Sequence, residues 1–156
     1  MIHTSLEMNQ MESELNKIIK KSFPELLNLE FSLEYEDLDD SFAETWETSK
    51  TSYVFALDSS FKEAEEDVII GLIVHELSHI SQDLGLSRFE RWIDDFLNKH
   101  SNRYSLMDER NADLTAVLRG FGKNLLELLR FINNKYPDYE TEGLSINELE
   151  ILLNLS

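Results

Sequence analysis

Cysteine is absent from the 156 residues, so no disulfide braces the fold and no thiolate can bind a metal. Any metal site must be built from imidazoles and carboxylates. Cations are scarce: 14 lysines and arginines stand against 31 aspartates and glutamates. The resulting formal charge of −17 argues against nucleic acid and anionic membranes as partners. Long apolar runs are missing too. The longest, Val68–Val74 (VIIGLIV), falls far short of a bilayer span. The opening MIHTSLEMNQMESELNK lacks the basic start and apolar core of a signal peptide, so the expected location is cytoplasmic. There are no internal repeats and no low-complexity segments.

What is present describes a folded globule. Hydrophobic content of 42 % with 10 % aromatics is too high for a disordered acidic tail. A chain of this length buries about two-thirds of its unfolded surface without staples, and one domain over 1–156 is expected. The charge is uneven. Between Leu29 and Asp67 thirteen carboxylates face only Lys50 and Lys62, net −11 of the −17. Solvation alone explains such a run; the functional reading is an electronegative rim that favours cationic substrates.

Periodicity organises the chain as a helix, three strands and a helical half. Residues Ser5–Lys20 carry Leu6, Met11, Leu15, Ile18 and Ile19 at helical spacing, and Pro24 marks where that helix has ended. Leu29–Glu36 alternates as a half-solvated strand; Ser41–Ser49 and Thr51–Asp58 read as two more, joined by a hairpin at Ser49–Lys50. Ser60 with Glu63 predicts a capping box for a second helix running to Leu84, with Gly85 just past its end. Gly71 inside it costs about 1 kcal/mol against alanine, which close backbone packing would justify. Ser87–Lys99 is a third helix, capped by Ser87 and Glu90, with Phe89, Trp92, Ile93, Phe96 and Leu97 as its stripe. His100–Ser105 reads as irregular. Leu106–Arg119 is a fourth helix ending at Gly120, Gly122–Lys135 a fifth stopped before Pro137, and Ser145 with Glu148 caps a last one, Ile146–Asn154.

Chemistry concentrates in Val68–Ile80, VIIGLIVHELSHI. His75 and His79 stand at i and i+4, one above the other on one helix face, which lets two imidazoles converge on one metal. Glu76 projects about 100 degrees away from His75, near enough to act on a water at that metal without being a ligand. A catalytic zinc needs a third protein ligand. The fourth helix offers Glu109 and Asp113, again at i and i+4; one can bind metal while the other orients a histidine through its second nitrogen. Asp83 is a rival, one turn further along the metal helix, but a third ligand from the same helix closes a tetrahedron poorly. Asp94, Asp95 and His100 are reserves.

HELSH followed after twenty-nine residues by ERNAD resembles the gluzincin metallopeptidases, and the chain's size looks most like their minimal single-domain members, the minigluzincins. The resemblance covers about Leu29–Arg119. It implies an α+β, zincin-like fold: an N-terminal helix, a three-stranded mixed sheet packed on the active-site helix, and a helical C-terminal half with a glutamate helix. It further implies Zn2+ held by His75, His79 and Glu109, with Glu76 as general base and Asp113 orienting a histidine ligand. The substrate would be a peptide, extended along an edge strand, a role that falls to Thr51–Asp58. The metzincin pattern fails, because it asks for glycine at 82 and histidine at 85, where this chain has Gln82 and Gly85.

An oxyanion donor is not singled out by any motif. His100, Arg103, Tyr104 and Arg110 are candidates by composition, with Tyr104 preferred. Minimal members of this class also occur as latent forms with a terminal segment across the cleft, and Ile2–Lys20 or Glu140–Ser156 could play that part instead of completing the core. The alternatives to an active peptidase are therefore a latent, zymogen-like enzyme and an inactive metal-stabilised regulatory or protein-binding module. Glu76 speaks for catalysis, since a purely structural zinc site has no use for a carboxylate beside its first ligand.

Overall fold

The computed structural model describes residues 5–155. Among the described residues the α-helices and strands are, in order, α1 (Ser5–Ser22), β1 (Glu30–Glu36), β2 (Ala43–Ser49), β3 (Ser52–Asp58), α2 (Glu66–Leu84), α3 (Arg88–His100), α4 (Asn102–Ala116), α5 (Gly122–Lys135) and α6 (Ile146–Asn154). This is the expected α+β, zincin-like arrangement, and the three strands form one mixed sheet. No helix among the described residues is long and apolar enough to cross a membrane.

Strand order corrects one expectation. The sheet runs β1-β3-β2, with β3 parallel to β1 and antiparallel to β2. Thr51–Asp58 therefore lies at the centre, hydrogen-bonded on both sides, and is no edge for a peptide to join. The reason is in its composition: Phe55, Ala56 and Leu57 are buried consecutively, as suits a strand covered on both faces, whereas β1 buries only Leu33. The outer edge of β1 is occupied by α1, where Glu12 accepts a hydrogen bond from the Leu33 N–H at 3.2 Å. The other edge strand is β2. It runs alongside α2, sharing one hollow with His75 and Glu76 at Ala43 and another with Ile80 and Asp83 at Trp46 and Glu47.

The metal helix α2 is the centre of the molecule. It buries Val68, Ile69, Leu72, Ile73, Val74, Leu77 and Ile80, and removing each from water is worth about 1.5–3 kcal/mol. It crosses α5 so closely that a Cβ at Gly71 would stand 2.4 Å from the Asn124 carbonyl oxygen, so the glycine does serve close backbone packing. Phe23, Leu26, Phe55, Phe61, Leu125, Leu129 and Leu149 complete the core around it. Both terminal helices contribute: α1 through Leu15 and Ile19, α6 through Leu149. Both terminal helices thus help to complete the core; residues 2–4 of the N-terminal stretch and Ser156 lie outside the described residues.

Several boundaries differ from those read in the sequence. The capping box at Ser60 does not form. Asp58 instead caps a single 3-10 turn, Ser59–Phe61, which drives Phe61 into the core; α2 starts only at Glu66, and the Ser60 hydroxyl is buried without a partner among the described residues. Gly85 ends α2 in a right-handed conformation (φ −76°). The glycine that needs positive φ is Gly120 (φ 96°), inside a π turn, Val117–Phe121, that joins α4 to α5. His100–Ser105 is not irregular: Ser101 donates its N–H to Leu97 at the end of α3 and caps α4 by accepting from the Tyr104 N–H, so α4 begins at Asn102. The capping boxes at Ser87 and Ser145 are present as expected.

The stripe of α3 also behaves unexpectedly. No α3 residue is buried; Phe89, Trp92 and Phe96 are 67 %, 62 % and 50 % exposed and stack in a row on the surface, at ring separations of 6.1 and 5.9 Å. The helix leans mainly on α4, and its Arg91 also approaches Glu47 of β2 at 3.9 Å.

Candidate metal centre

The i, i+4 spacing on α2 places the two imidazoles edge to face, with their Nε2 atoms 3.2 Å apart. Glu109 comes across from α4 and straddles them. Its Oε2 lies 3.1 Å from His75 Nε2 and its Oε1 3.2 Å from His79 Nε2. The three side chains offer one donor atom each within 4.8 Å of one another, and all three are half-buried. Bond lengths of about 2.0–2.1 Å in a tetrahedral site require donor–donor separations of roughly 3.3 Å. The closest approaches, 3.1–3.2 Å, have that size, so two imidazoles and a carboxylate fit a divalent cation by spacing and by chemistry.

Asp113, one turn beyond Glu109, is 6 % exposed. Its Oδ1 lies 2.8 Å from His75 Nδ1. A carboxylate only accepts, so Nδ1 carries the proton and Nε2 presents its lone pair to the metal position. Asp113 Oδ2 accepts from the Leu144 N–H at 2.8 Å. His79 Nδ1 has a looser neighbour in Asp108 Oδ2, 3.6 Å away and beyond hydrogen-bond range.

Without a cation, charge is balanced inside the cluster. Burial lowers the pKa of His75, but Asp113 and Glu109 more than offset it and hold the imidazole well above its ordinary value. His79 is likewise raised, against burial, by Glu109. Burial would raise Glu109, yet hydrogen bonds from the two histidines pull it far below the usual carboxylate range. Histidines bind a metal as neutral imidazoles, so metal binding at this cluster would release protons. Glu76 differs from these: burial raises its pKa, only partly opposed by the two histidines.

A cavity of about 350 Å³ opens beside the cluster. His75, Glu76, Glu109 and Asp113 line it, with Leu72, Leu125 and Leu129 as an apolar floor. Asp40–Ala43 at the start of β2 borders one side and Tyr139–Gly143, from the loop between α5 and α6, another. Phe42 and Tyr139, both lining it, meet edge to face with centroids 5.1 Å apart.

The other candidates are elsewhere. Asp83 faces Asp94 and Asp108 in a separate hollow, and mutual repulsion after burial raises its pKa. Asp95 is exposed, and His100 is exposed with its ring against Phe96. Tyr104 donates its hydroxyl to Asp94 at 2.7 Å, which with burial holds its pKa up at about 12, and it is not among the residues lining the cavity. Arg110 is engaged by Glu148. The tyrosine that does line the cavity is Tyr139, whose pKa is raised by burial and then by Glu109. Sequence reasoning passed over it because PDYETEG carries only turn signals. Gly143 and Leu144 were missed for the same reason.

The chain thus has a zincin-like fold and a metal-binding site of two histidines and a distant glutamate. No protein-family model matches it, and neither does a curated protein or a solved structure, so the assignment rests on the residues themselves.

Proposed function

We propose that the chain is a gluzincin-type zinc metallopeptidase, close to the minigluzincins and formed by a single domain over 1–156. The observation that carries the reading is Glu76. It follows the first ligand directly, stands apart from the three donors, and opens onto the same cavity as His75 and Glu109. A site that only stabilised the fold would gain nothing from burying a further carboxylate there.

Zinc, when bound, lowers the pKa of a water molecule and polarises a carbonyl. The chain supplies the rest. His75, His79 and Glu109 hold the ion, and Asp113 keeps His75 in the tautomer that binds it. Glu76 takes the proton from the attacking water and returns it to the departing amine. An extended peptide would lie along the open edge of β2, beside Ala43, and not along β3. Tyr139 lines the same cavity as Glu76 and Glu109, which makes it a better oxyanion donor than Tyr104, whose hydroxyl is given to Asp94.

The Tyr139–Gly143 loop, held against Phe42 at one side of the cavity, favours a second reading in which the enzyme is latent until that side opens. Both readings meet the same test. Protein purified without chelator should carry near one zinc per chain. Glu76→Gln should keep the zinc and lose peptide hydrolysis by about 10²–10⁴-fold, the usual worth of a general base. Equal cleavage by wild type and variant would remove Glu76 from the mechanism; a zinc-binding wild type with no turnover until the loop is cut would favour latency.

A further inference from the structure

The C-terminal segment lies outside the stretch that resembles the gluzincins, yet it hydrogen-bonds the carboxylate behind the metal site. Asp113 divides its two oxygens between His75 Nδ1 and the Leu144 N–H, each at 2.8 Å. The second contact depends on glycine. A Cβ at residue 143 would stand 1.9 Å from Asp113 Oδ2, so no other residue lets the chain come this close without displacing that oxygen.

The same segment is latched to α4 a second time. Arg110, adjacent to the ligand Glu109, donates to Glu148 through both terminal nitrogens (3.1 and 2.9 Å) and to the Gly143 carbonyl at 3.4 Å. Glu148 also accepts from the Ser145 N–H at 2.8 Å, closing the capping box of α6. One glutamate therefore starts α6 and ties it to the glutamate helix. Positions 110 and 113 of α4 are both held by the turn that begins α6.

We propose that the Gly143–Glu148 segment positions the metal centre: its backbone N–H orients Asp113, which in turn fixes the proton on His75 Nδ1 and frees Nε2 for the cation. The two hydrogen bonds set the order of dependence. Asp113 has one oxygen for His75 and one for Leu144, so losing the second leaves its carboxylate free to rotate away from the first. Loss of an outer partner of this kind costs metal affinity about 10–100-fold. The proposal rests on His75, His79 and Glu109 being the ligands.

The test is zinc affinity, measured by competition with a chromophoric chelator, together with melting of the chelator-treated protein. Gly143→Ala should weaken zinc binding by about 10–100-fold. Leu15→Ala, in the core on α1 and away from the site, should lower the melting temperature while leaving zinc affinity unchanged. In the metal-free protein the His75 Nδ1 proton should give a hydrogen-bonded NMR resonance in wild type and should exchange away in Gly143→Ala. If Gly143→Ala fails to fold, Glu148→Gln, at a half-exposed pair, carries the test with a smaller loss in the same direction.

Unchanged zinc affinity in Gly143→Ala, or in Glu148→Gln where only that variant folds, would overturn the proposal. Equal weakening in Leu15→Ala would overturn it too, since affinity would then merely follow stability. Failure of the wild type to bind zinc would instead overturn the ligand reading beneath it.

Discussion

Gly71→Ala tests the central helix crossing, because two effects of opposite sign act at one position. By helix propensity alone alanine would stabilise α2 by about 1 kcal/mol. Against this, the added Cβ would meet the Asn124 carbonyl oxygen at 2.4 Å, its carbon at 2.8 Å and Leu128 Cβ at 3.2 Å. The two nearest atoms are backbone, so no rotamer change relieves the overlap; α2 and α5 must separate by a sizeable fraction of an ångström. That opens the contact lined by Leu72, Leu125 and Leu128, all buried. Overpacking at a well-packed site costs about 1–3 kcal/mol, and a backbone clash belongs at the upper end. The net expectation is a loss of about 1–2 kcal/mol, or a fall in melting temperature of roughly 2–8 °C for a chain of this size.

The assay is denaturant unfolding in the presence of chelator, so that metal binding does not contribute, with the midpoint falling and the slope unchanged. Gly85→Ala is the control. Its φ is −76° and its nearest atom would be the Gln82 oxygen at 3.8 Å, so alanine fits and should stabilise by about 0.4–1 kcal/mol. If Gly71→Ala were as stable as wild type, or gained like Gly85→Ala, the close crossing of α2 and α5 would be wrong.

Two further pairs of substitutions bear on the site. Glu109→Ala should weaken zinc binding far more than Asp83→Ala, by at least about 10-fold, since only Glu109 approaches both imidazoles. Metal titration of the two variants decides it, and the reverse order would move the third ligand onto α2. Tyr139→Phe should lower kcat by up to about 10²-fold with zinc affinity intact, whereas Tyr104→Phe should leave turnover close to wild type. Steady-state kinetics on one peptide would show the contrast, and a larger effect at Tyr104 would restore it as the oxyanion donor.

Rules acting within one segment made much of this molecule legible from its sequence. Helix pitch puts His75 and His79 on one face and Glu109 and Asp113 on another, whatever surrounds them. Capping chemistry located the starts of α3 and α6 at Ser87 and Ser145, because a serine and a glutamate three residues on satisfy each other locally. The same rule failed at Ser60. There Asp58 competed for the free N–H groups, and burial of Phe61 favoured a 3-10 turn over an early helix.

Only the tertiary structure decided questions in which distant segments compete for the same place. β-Branched and aromatic content in Thr51–Asp58 revealed a strand but not its neighbours; the parallel pairing with β1 put it in the middle and left β2 as the open edge. Periodicity in α3 revealed an apolar face, yet burial depends on what lies opposite, and Phe89, Trp92 and Phe96 face outward. The partner of Asp113 on its second oxygen comes from residue 144, brought there by the return of α6 and by a glycine that the turn alone would not have marked. Spacing along a helix determined which residues are able to bind a metal. The crossing of α2 with α4, and the chain that closes behind it, determined that they meet.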